Sequence, residues 1–388
     1  MLPARRSARL AEPVSAVRAF DTLRLPPGYG VTADTVPPPI HDSQNEIYGM
    51  TCLTRCLQAL SRSERPQPDD ISGAFEELMD GTASDPAIAG FLMGLAALGE
   101  TPSDIAAGAR VMRARMTAIQ APDGAIDTCG TGGDGKGAYN ISTAAAIVAA
   151  GAGAKVAKHG NRAASSKSGS SDVLAALGLN LEAPVANVER SVREAGAGFL
   201  FAPAHHSAVR HVGPARQALG VRTVFNLLGP LSNPAGVKRQ LLGVYDTRWL
   251  VPMAQALRDL GCERALVICG QDGMDEITTT APTEIAELKD DRIHTFTFEP
   301  EEAGISRVQE DDLKGGDAAY NAAAIHRLLD GESGAFRDIV LLNAGAALLV
   351  AGLADTIASG AELAAAAIDD GRAHDTLARM IAISKDPA

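Results

Sequence analysis

The chain has 388 residues, enough for two or three ordinary domains, and 46% of them are apolar, so a large core can form and disorder is not the default. A net charge of −12 argues against a general binder of nucleic acid or anionic membrane, and an aromatic content of 4% argues against base stacking on single strands. Cys52, Cys56, Cys129, Cys262 and Cys269 are odd in number and lack zinc-site spacing. With no signal-peptide pattern and no apolar run of about 20 residues, they point to a reduced, cytoplasmic protein.

Residues 1–48 carry Arg5-Arg6, Pro26-Pro27 and Pro37-Pro38-Pro39 with no sustained period. They read as a disordered tail or as a start set too early, with Met50 as the true start. Residues 51–121 are helical in pattern. Leu53, Cys56, Leu57 and Leu60 share one face. Asp69 and Asp70 are placed to cap a helix through Met79, with Ile71, Phe75, Leu78 and Met79 as its stripe and Gly81 at its end. Ser84 to Leu98 is a third helix, and Ser103 opens a fourth with Ile105, Val111, Met112 and Met116. No strand signal interrupts them, so they form a smaller all-helical N-terminal domain.

The period changes at Ala125. Short strands are expected at Ala125–Thr128, Lys155–Lys158, Phe199–Phe201, Leu241–Tyr245 and Ala265–Cys269. Helices are expected between them at Asn140–Ala152, Ser171–Leu177, Val188–Ala195 and Val251–Leu260. This alternation predicts a large α/β domain over residues 124–388 with a mainly parallel central sheet. Within it, residues 214–234 are a connector or a short helical excursion, punctuated by Gly229-Pro230 and Asn233-Pro234. A hairpin turns at Asp290-Asp291, and helices close the chain at Ala318–Leu329, Ile339–Ala351, Ala361–Gly371 and Thr376–Ser384.

The most informative stretch is Asp127 to Ser170. It begins Asp127-Thr128-Cys129-Gly130-Thr131-Gly132-Gly133-Asp134-Gly135-Lys136-Gly137 and ends in a run of hydroxyls and cations around Lys158 and Ser170. Dense glycines let backbone amides approach a ligand, and hydroxyls, lysines and a helix N-terminus suit a phosphate. Two common phosphate motifs fail here. Gly130, Gly132 and Gly135 fit the dinucleotide pattern, but the helix starts too late and the next acid after Asp134 is Asp172. Gly130, Gly135 and Lys136 fit a Walker loop, but Gly137 stands where its magnesium-binding hydroxyl should be.

Asp127 to Asp134, Asn140-Ile141-Ser142-Thr143 and Lys158-His159-Gly160-Asn161-Arg162 together resemble the anthranilate phosphoribosyltransferase family. Three later stretches match in order: Phe201-Ala202-Pro203 with His206, Pro214–Pro234 with Arg216 and Arg222-Thr223, and Asp272-Gly273-Met274-Asp275-Glu276. The resemblance covers roughly residues 51 to 385. Ala138 departs from the family's Ser or Thr, which removes one phosphate hydroxyl, and Ser207 replaces its usual Pro.

The resemblance implies transfer of the phosphoribosyl group of phosphoribosyl pyrophosphate (PRPP) to the amino group of anthranilate, a step in tryptophan synthesis. It implies a PRPP site built from Gly130, Gly133, Asp134, Asn140, Ile141, Ser142, Thr143, Lys158, His159, Gly160, Asn161, Arg162, Ala163, Ala164, Ser165, Ser166 and Ser170. Gly130, Asn161, Arg216 and His206 would meet anthranilate. Arg216 is the choice for its carboxylate, because a guanidinium binds one in bidentate fashion. His159 reads equally well as a core histidine, and His205 and His211 as structural or surface groups. Ser142, Asp275 and Glu276 would hold Mg2+, with two ions per site, since magnesium takes one or two carboxylates plus substrate phosphate. No general base is assigned. A homodimer is implied by the family alone. The alternatives are a pyrimidine nucleoside phosphorylase of the same fold and a non-catalytic paralogue that binds nucleic acid.

Overall fold

The computed structural model describes residues 49–162 and 167–387. The expectations for residues 1–48 lie outside them.

Four helices come first: α1 (Cys52–Ser61), α2 (Pro68–Asp80), α3 (Asp85–Leu98) and α4 (Pro102–Ala114). Their starts are set locally. Thr51 accepts the Thr54 N–H at the mouth of α1. Pro68 opens α2, where a missing N–H does no harm. Asp69 and Asp70 therefore lie inside the first turn, facing the positive end of the helix dipole, instead of capping it. Thr101 and Asp104 form a reciprocal capping box on α4, so that helix begins before the expected Ser103. Ile88, Phe91 and Leu92 of α3 have no exposed surface. Each such side chain stabilises the bundle by roughly 1.5–3 kcal/mol.

The chain then alternates: β1 (Ile126–Gly130), α5 (Ile141–Gly151), β2 (Val156–Gly160), α6 (Ser170–Ala176), α7 (Val185–Glu194) and β3 (Ala197–Phe201). Three short helices follow, α8 (Ala202–His205), α9 (Gly213–Leu219) and α10 (Phe225–Leu228). After them come β4 (Arg239–Gly243), α11 (Leu250–Asp259), β5 (Arg264–Gly270), and the hairpin β6 (Thr283–Lys289) and β7 (Arg292–Phe298). The end is α12 (Ala318–Leu329), α13 (Ala335–Ala351), α14 (Ile357–Asp369) and α15 (Arg372–Lys385).

The sheet has the order β3-β2-β1-β4-β5-β6-β7. The first five strands are parallel, and β6 and β7 are antiparallel additions at one edge. From β1 the chain runs outward through β2 and β3, then returns to place β4 on the other side of β1. The crevice beyond the carboxyl ends of β1 and β4 is thus a topological switch point, where open α/β sheets bind ligands. Here β1 and β4 end on directly paired glycines, Gly130 and Gly243.

Helices α5 and α12–α15 cover one sheet face in one buried cluster. The four-helix bundle, α9, α10 and α11 share the other. Residues 214–234 are therefore a helical excursion packed into the bundle. Phe75 of α2 meets Phe91 edge-on at 5.4 Å between ring centroids and Phe225 of α10 at 6.1 Å. Helices α13, α14 and α15 begin at Ala335, Ile357 and Arg372, each one turn before the expected Ile339, Ala361 and Thr376. Their first turns are set by caps that precede the apolar stripe: Gly334, the Thr356–Ser359 box, and Gly371 at φ 75°.

Candidate active site

The paired strand-end glycines form a seat for Asp275. A Cβ on Gly130 would lie 2.3 Å from Asp275 Oδ2, and one on Gly243 would lie 1.7 Å from the Asp275 backbone oxygen. Asp275 Oδ2 accepts the Gly132 N–H at 2.8 Å. Gly132, Gly133, Gly135 and Gly137 all hold positive φ between 63° and 77°, a backbone path that side chains resist. The neighbouring carboxylate, Glu276, accepts the Ser142 N–H at the start of α5 at 3.0 Å. The acidic pair, 143 residues beyond Gly132, is thus bonded to the glycine loop and to the following helix.

The loop bearing this pair is itself held firmly. Asp272 accepts from Met274 N–H at 3.0 Å and Thr278 Oγ1 at 2.7 Å, and from Thr280 Oγ1. Asn343 of α13, fully buried, brackets Ile277: its Oδ1 accepts the Ile277 N–H and its Nδ2 donates to the Ile277 carbonyl, both at 2.9 Å.

Charge is poorly balanced here. Burial, then the charge of Asp134, pushes the Asp275 carboxyl up. Burial, then the charge of Asp275, pushes the Glu276 carboxyl up. Burial also raises Asp134. Lys158 is the opposing charge, and it lowers both Asp275 and Glu276. It is 4% exposed, donates to the Thr128 carbonyl and reaches Ser142 Oγ at 3.3 Å. Its ammonium is therefore turned into the β1–α5 junction, not displayed on the surface. Behind it, Asp127 is fully buried and raised by that burial, with Lys158, Asn233 Nδ2 at 2.7 Å and His159 N–H at 3.1 Å opposing the shift. Among the described residues no three His, Cys, Asp or Glu side chains converge as a metal cluster. Excess carboxylate charge without a full ligand set fits a hard cation that takes its remaining oxygens from a bound phosphate.

Asn140 precedes α5. Its Nδ2 donates to the Ser168 carbonyl at 3.2 Å, and its Oδ1 accepts Asn321 Nδ2 at 2.8 Å. Thr143 is buried, and its hydroxyl has no partner among the described residues. Ile141 packs into the core, and its amide donates to the Tyr139 carbonyl at 2.9 Å, so its side chain shapes the helix start. Past β2, Gly160 leaves room for Ser170 Oγ, which donates to the Asn161 carbonyl at 3.2 Å. Asn161 and Arg162 are exposed, with Arg162 5.9 Å from the Phe201 ring centroid. Ala163, Ala164, Ser165 and Ser166 lie outside the described residues.

Arg216 of α9, expected at the anthranilate carboxylate, is half-buried over the Phe225 ring at 5.3 Å. Burial lowers its pKa, and no carboxylate among the described residues pairs with it. The His159 and His206 rings lie 5.0 Å apart, both buried. His159 Nδ1 meets the Gly229 carbonyl at 3.2 Å, while Nε2 of each histidine has no partner among the described residues. Burial pushes His159 down to about 3 and His206 down to about 4, so both are neutral at pH 7. His205 Nδ1 meets the Thr117 carbonyl at 2.7 Å, a structural contact.

Arg222 was visible in the sequence only as part of a motif. It spans the site, donating to the Gly133 carbonyl while stacking 3.8 Å over the Tyr245 ring. Gly243, Asn321 and Asn343 carry no local signal in the sequence. Their importance comes from strand pairing and from helices far along the chain.

Family models for the glycosyl transferase family match this chain twice: the helical bundle domain over residues 54–116 and the a/b domain over residues 122–374. An anthranilate phosphoribosyltransferase of Maricaulis maris is 73% identical over 333 residues, covering 86% of this chain and 98% of that protein. That of Rhodospirillum rubrum is 54% identical, covering 89% of this chain and 97% of the relative. The crystal structure of the Thermus thermophilus enzyme superimposes with a TM-score of 0.81 at 43% identity, over 86% of this chain and all of that one. The Saccharomyces cerevisiae enzyme in complex with PRPP and Mg superimposes with a TM-score of 0.79 at 25% identity, over 86% of this chain and 97% of that one. An acidic pair seated on a glycine loop at the switch point, under two matching family models and near full-length identity, places this chain in the glycosyl transferase family, among its anthranilate phosphoribosyltransferases.

Proposed function

We propose that this chain transfers the phosphoribosyl group of PRPP to the amino group of anthranilate, forming N-(5-phosphoribosyl)anthranilate and pyrophosphate. The C1–O bond to pyrophosphate breaks, and a C1–N bond forms on the opposite side. The nitrogen then carries a surplus proton. An N-alkylated aromatic ammonium is acidic enough to lose it to water or pyrophosphate, so no dedicated base is assigned. The protein's tasks are to hold a polyanion, aim a weak nucleophile and exclude water.

The seating of Asp275 on Gly130, with Gly132 N–H bonded to it, carries the reading. It joins the acidic loop to the glycine loop, where this assignment puts the diphosphate. The amides of residues 130–134 and the start of α5 then face the phosphates, with Asn140, Ser142 and Thr143 beside them. Lys158, buried beside Ser142, tempers the carboxylates and in this assignment adds its charge to the phosphate site. Asp275, Glu276 and Ser142 would hold Mg2+, two ions per site, which supplies charge neutralisation of the leaving pyrophosphate. Arg216, lacking a carboxylate partner among the described residues, takes that of anthranilate, with Asn161 and His206 along its approach.

The enzyme is assigned to the cytoplasm as a homodimer. All five cysteines are free, and no helix among the described residues is long and apolar enough to cross a membrane. Light scattering on the purified protein tests the dimer. The activity is tested by loss of anthranilate fluorescence with PRPP and MgCl2. No loss that depends on PRPP would overturn the assignment.

A further inference from the structure

We propose that Asn321, on α12, is a positioning residue for the PRPP half of the site, because it fixes which way the Asn140 amide faces. This rests on the assignment of Asn140 to the phosphates. Asn321 is 1% exposed. Its Oδ1 accepts the Gly316 N–H at 2.8 Å. A backbone N–H can only donate, so that contact settles the orientation of the Asn321 amide. Its NH2 must then face Asn140, and it donates to Asn140 Oδ1 at 2.8 Å. The Asn140 oxygen thereby faces α12, with Ser168 Oγ also donating to it at 3.4 Å, and its NH2 donates to the Ser168 carbonyl at 3.2 Å. Flipping either amide would set oxygen against oxygen and donor against donor.

The consequence is chemical. A phosphate at the mouth of α5 needs donors. With Asn321 in place, the loop-facing group of Asn140 is a donor; with its amide reversed, it is an acceptor that repels phosphate oxygens. The backing around this relay is firm on both sides. Gly315 N–H donates to the Gly137 carbonyl at 2.9 Å, Tyr139 N–H donates to the Leu313 carbonyl at 3.1 Å, and Ala138 bridges Lys314. The orientation of a group at the mouth of α5 is thus set by a residue 181 positions away.

The test compares the full-length wild type with Asn140→Ala, Asn321→Ala and the double variant. It measures the KM for PRPP, the KM for anthranilate and the thermal midpoint. Asn321→Ala should raise the PRPP KM about tenfold, the scale of one lost hydrogen bond to a charged group, and leave the anthranilate KM within about twofold. If Asn321 acts through Asn140, the double variant should match Asn140→Ala alone within about twofold. Multiplied effects in the double variant, or equal shifts in both KM values, would overturn the proposal. An effect of Asn140→Ala not shared by Asn321→Ala would sink the relay alone. No effect of Asn140→Ala would sink the assignment of Asn140 as well. Asn321→Asp, isosteric and still able to accept from Gly316, guards against misfolding. With the carboxyl ionised its second oxygen should turn the Asn140 amide round, so calorimetry at pH 8, below the variant's thermal midpoint, should show weakened PRPP binding. Unchanged PRPP affinity in that variant would also overturn the relay.

Discussion

Gly130→Ala tests the seat on which the acidic pair rests. Gly130 is not among the residues with positive φ, so alanine can adopt its backbone conformation. The added Cβ would stand 2.3 Å from Asp275 Oδ2 and 3.0 Å from its Cγ. To reach ordinary contact the carboxylate must retreat by roughly 1 Å. That retreat breaks the 2.8 Å bond from Gly132 N–H. Losing a hydrogen bond to a charged group costs about 1.5–3 kcal/mol, and crowding of this kind about 1–3 kcal/mol. With part of the crowding relieved by the same movement, the loss is about 2–4 kcal/mol, or about 30- to 1,000-fold in kcat/KM for PRPP. Gly135→Ala is the control: its φ is 75° with nothing within 4 Å of the new Cβ, so it strains the backbone without touching a carboxylate. Anthranilate fluorescence loss, titrated separately with PRPP and MgCl2, reads both. A Gly130→Ala enzyme whose PRPP and magnesium requirements match those of Gly135→Ala would refute the seat.

Asp275→Asn with Glu276→Gln should raise the magnesium midpoint at least about tenfold, because amides carry no charge for a hard cation. The same double variant should melt higher than wild type without ligand at pH 8, since both carboxyls are held above their ordinary values and their charges strain the fold; a lower melting point would contradict that. Arg216→Ala should raise the anthranilate KM at least about tenfold and leave the PRPP KM within about twofold, and equal effects on both would remove Arg216 from the acceptor site. His159 and His206 are depressed to about 3 and about 4, so the folded state resists protons that the unfolded chain accepts below about 6.5. Their contribution is complete above that pH and declines as pH falls, by about 1.4 kcal/mol per unit for each histidine, down to the folded values. Asp127, Asp134, Asp275 and Glu276 shift in the opposite sense, so the comparison is between variants. His206→Gln should lose less thermal stability than wild type between pH 6.5 and 4, and an unchanged slope would show that His206 is not held neutral.

Much of this site is legible in the sequence because its requirements are local. A backbone that must take positive φ at Gly132, Gly133, Gly135 and Gly137 advertises itself through glycine density. The alternation of strand and helix likewise follows from periodicity, and the parallel sheet from that alternation. What the residues hide is pairing across distance. Gly243 looks like any strand-end glycine until the β1–β4 register sets it beside Gly130, under the Asp275 backbone. Lys158 is expected to supply charge to the phosphates, and the strand geometry that turns its ammonium inward to Thr128 and Ser142 cannot be read from its neighbours in the chain. The starts of α13, α14 and α15 fall one turn before the expected residues, because Gly334, Thr356 and Gly371 precede the apolar stripe as caps.

The aromatic contacts that join α10 to the bundle divide the enzyme's inheritance. Phe91, Phe75 and Phe225 form one edge-on chain, and Arg216 lies over its last ring. The cation assigned to the acceptor is therefore carried by the hydrophobic core of the N-terminal helices, whereas the glycine loop assigned to the phosphates follows a strand of the sheet. Substitutions at Phe75 or Phe91 can re-aim Arg216 without touching the glycine loop. A lineage could thus revise its nucleophile by repacking the bundle while keeping its donor chemistry unchanged.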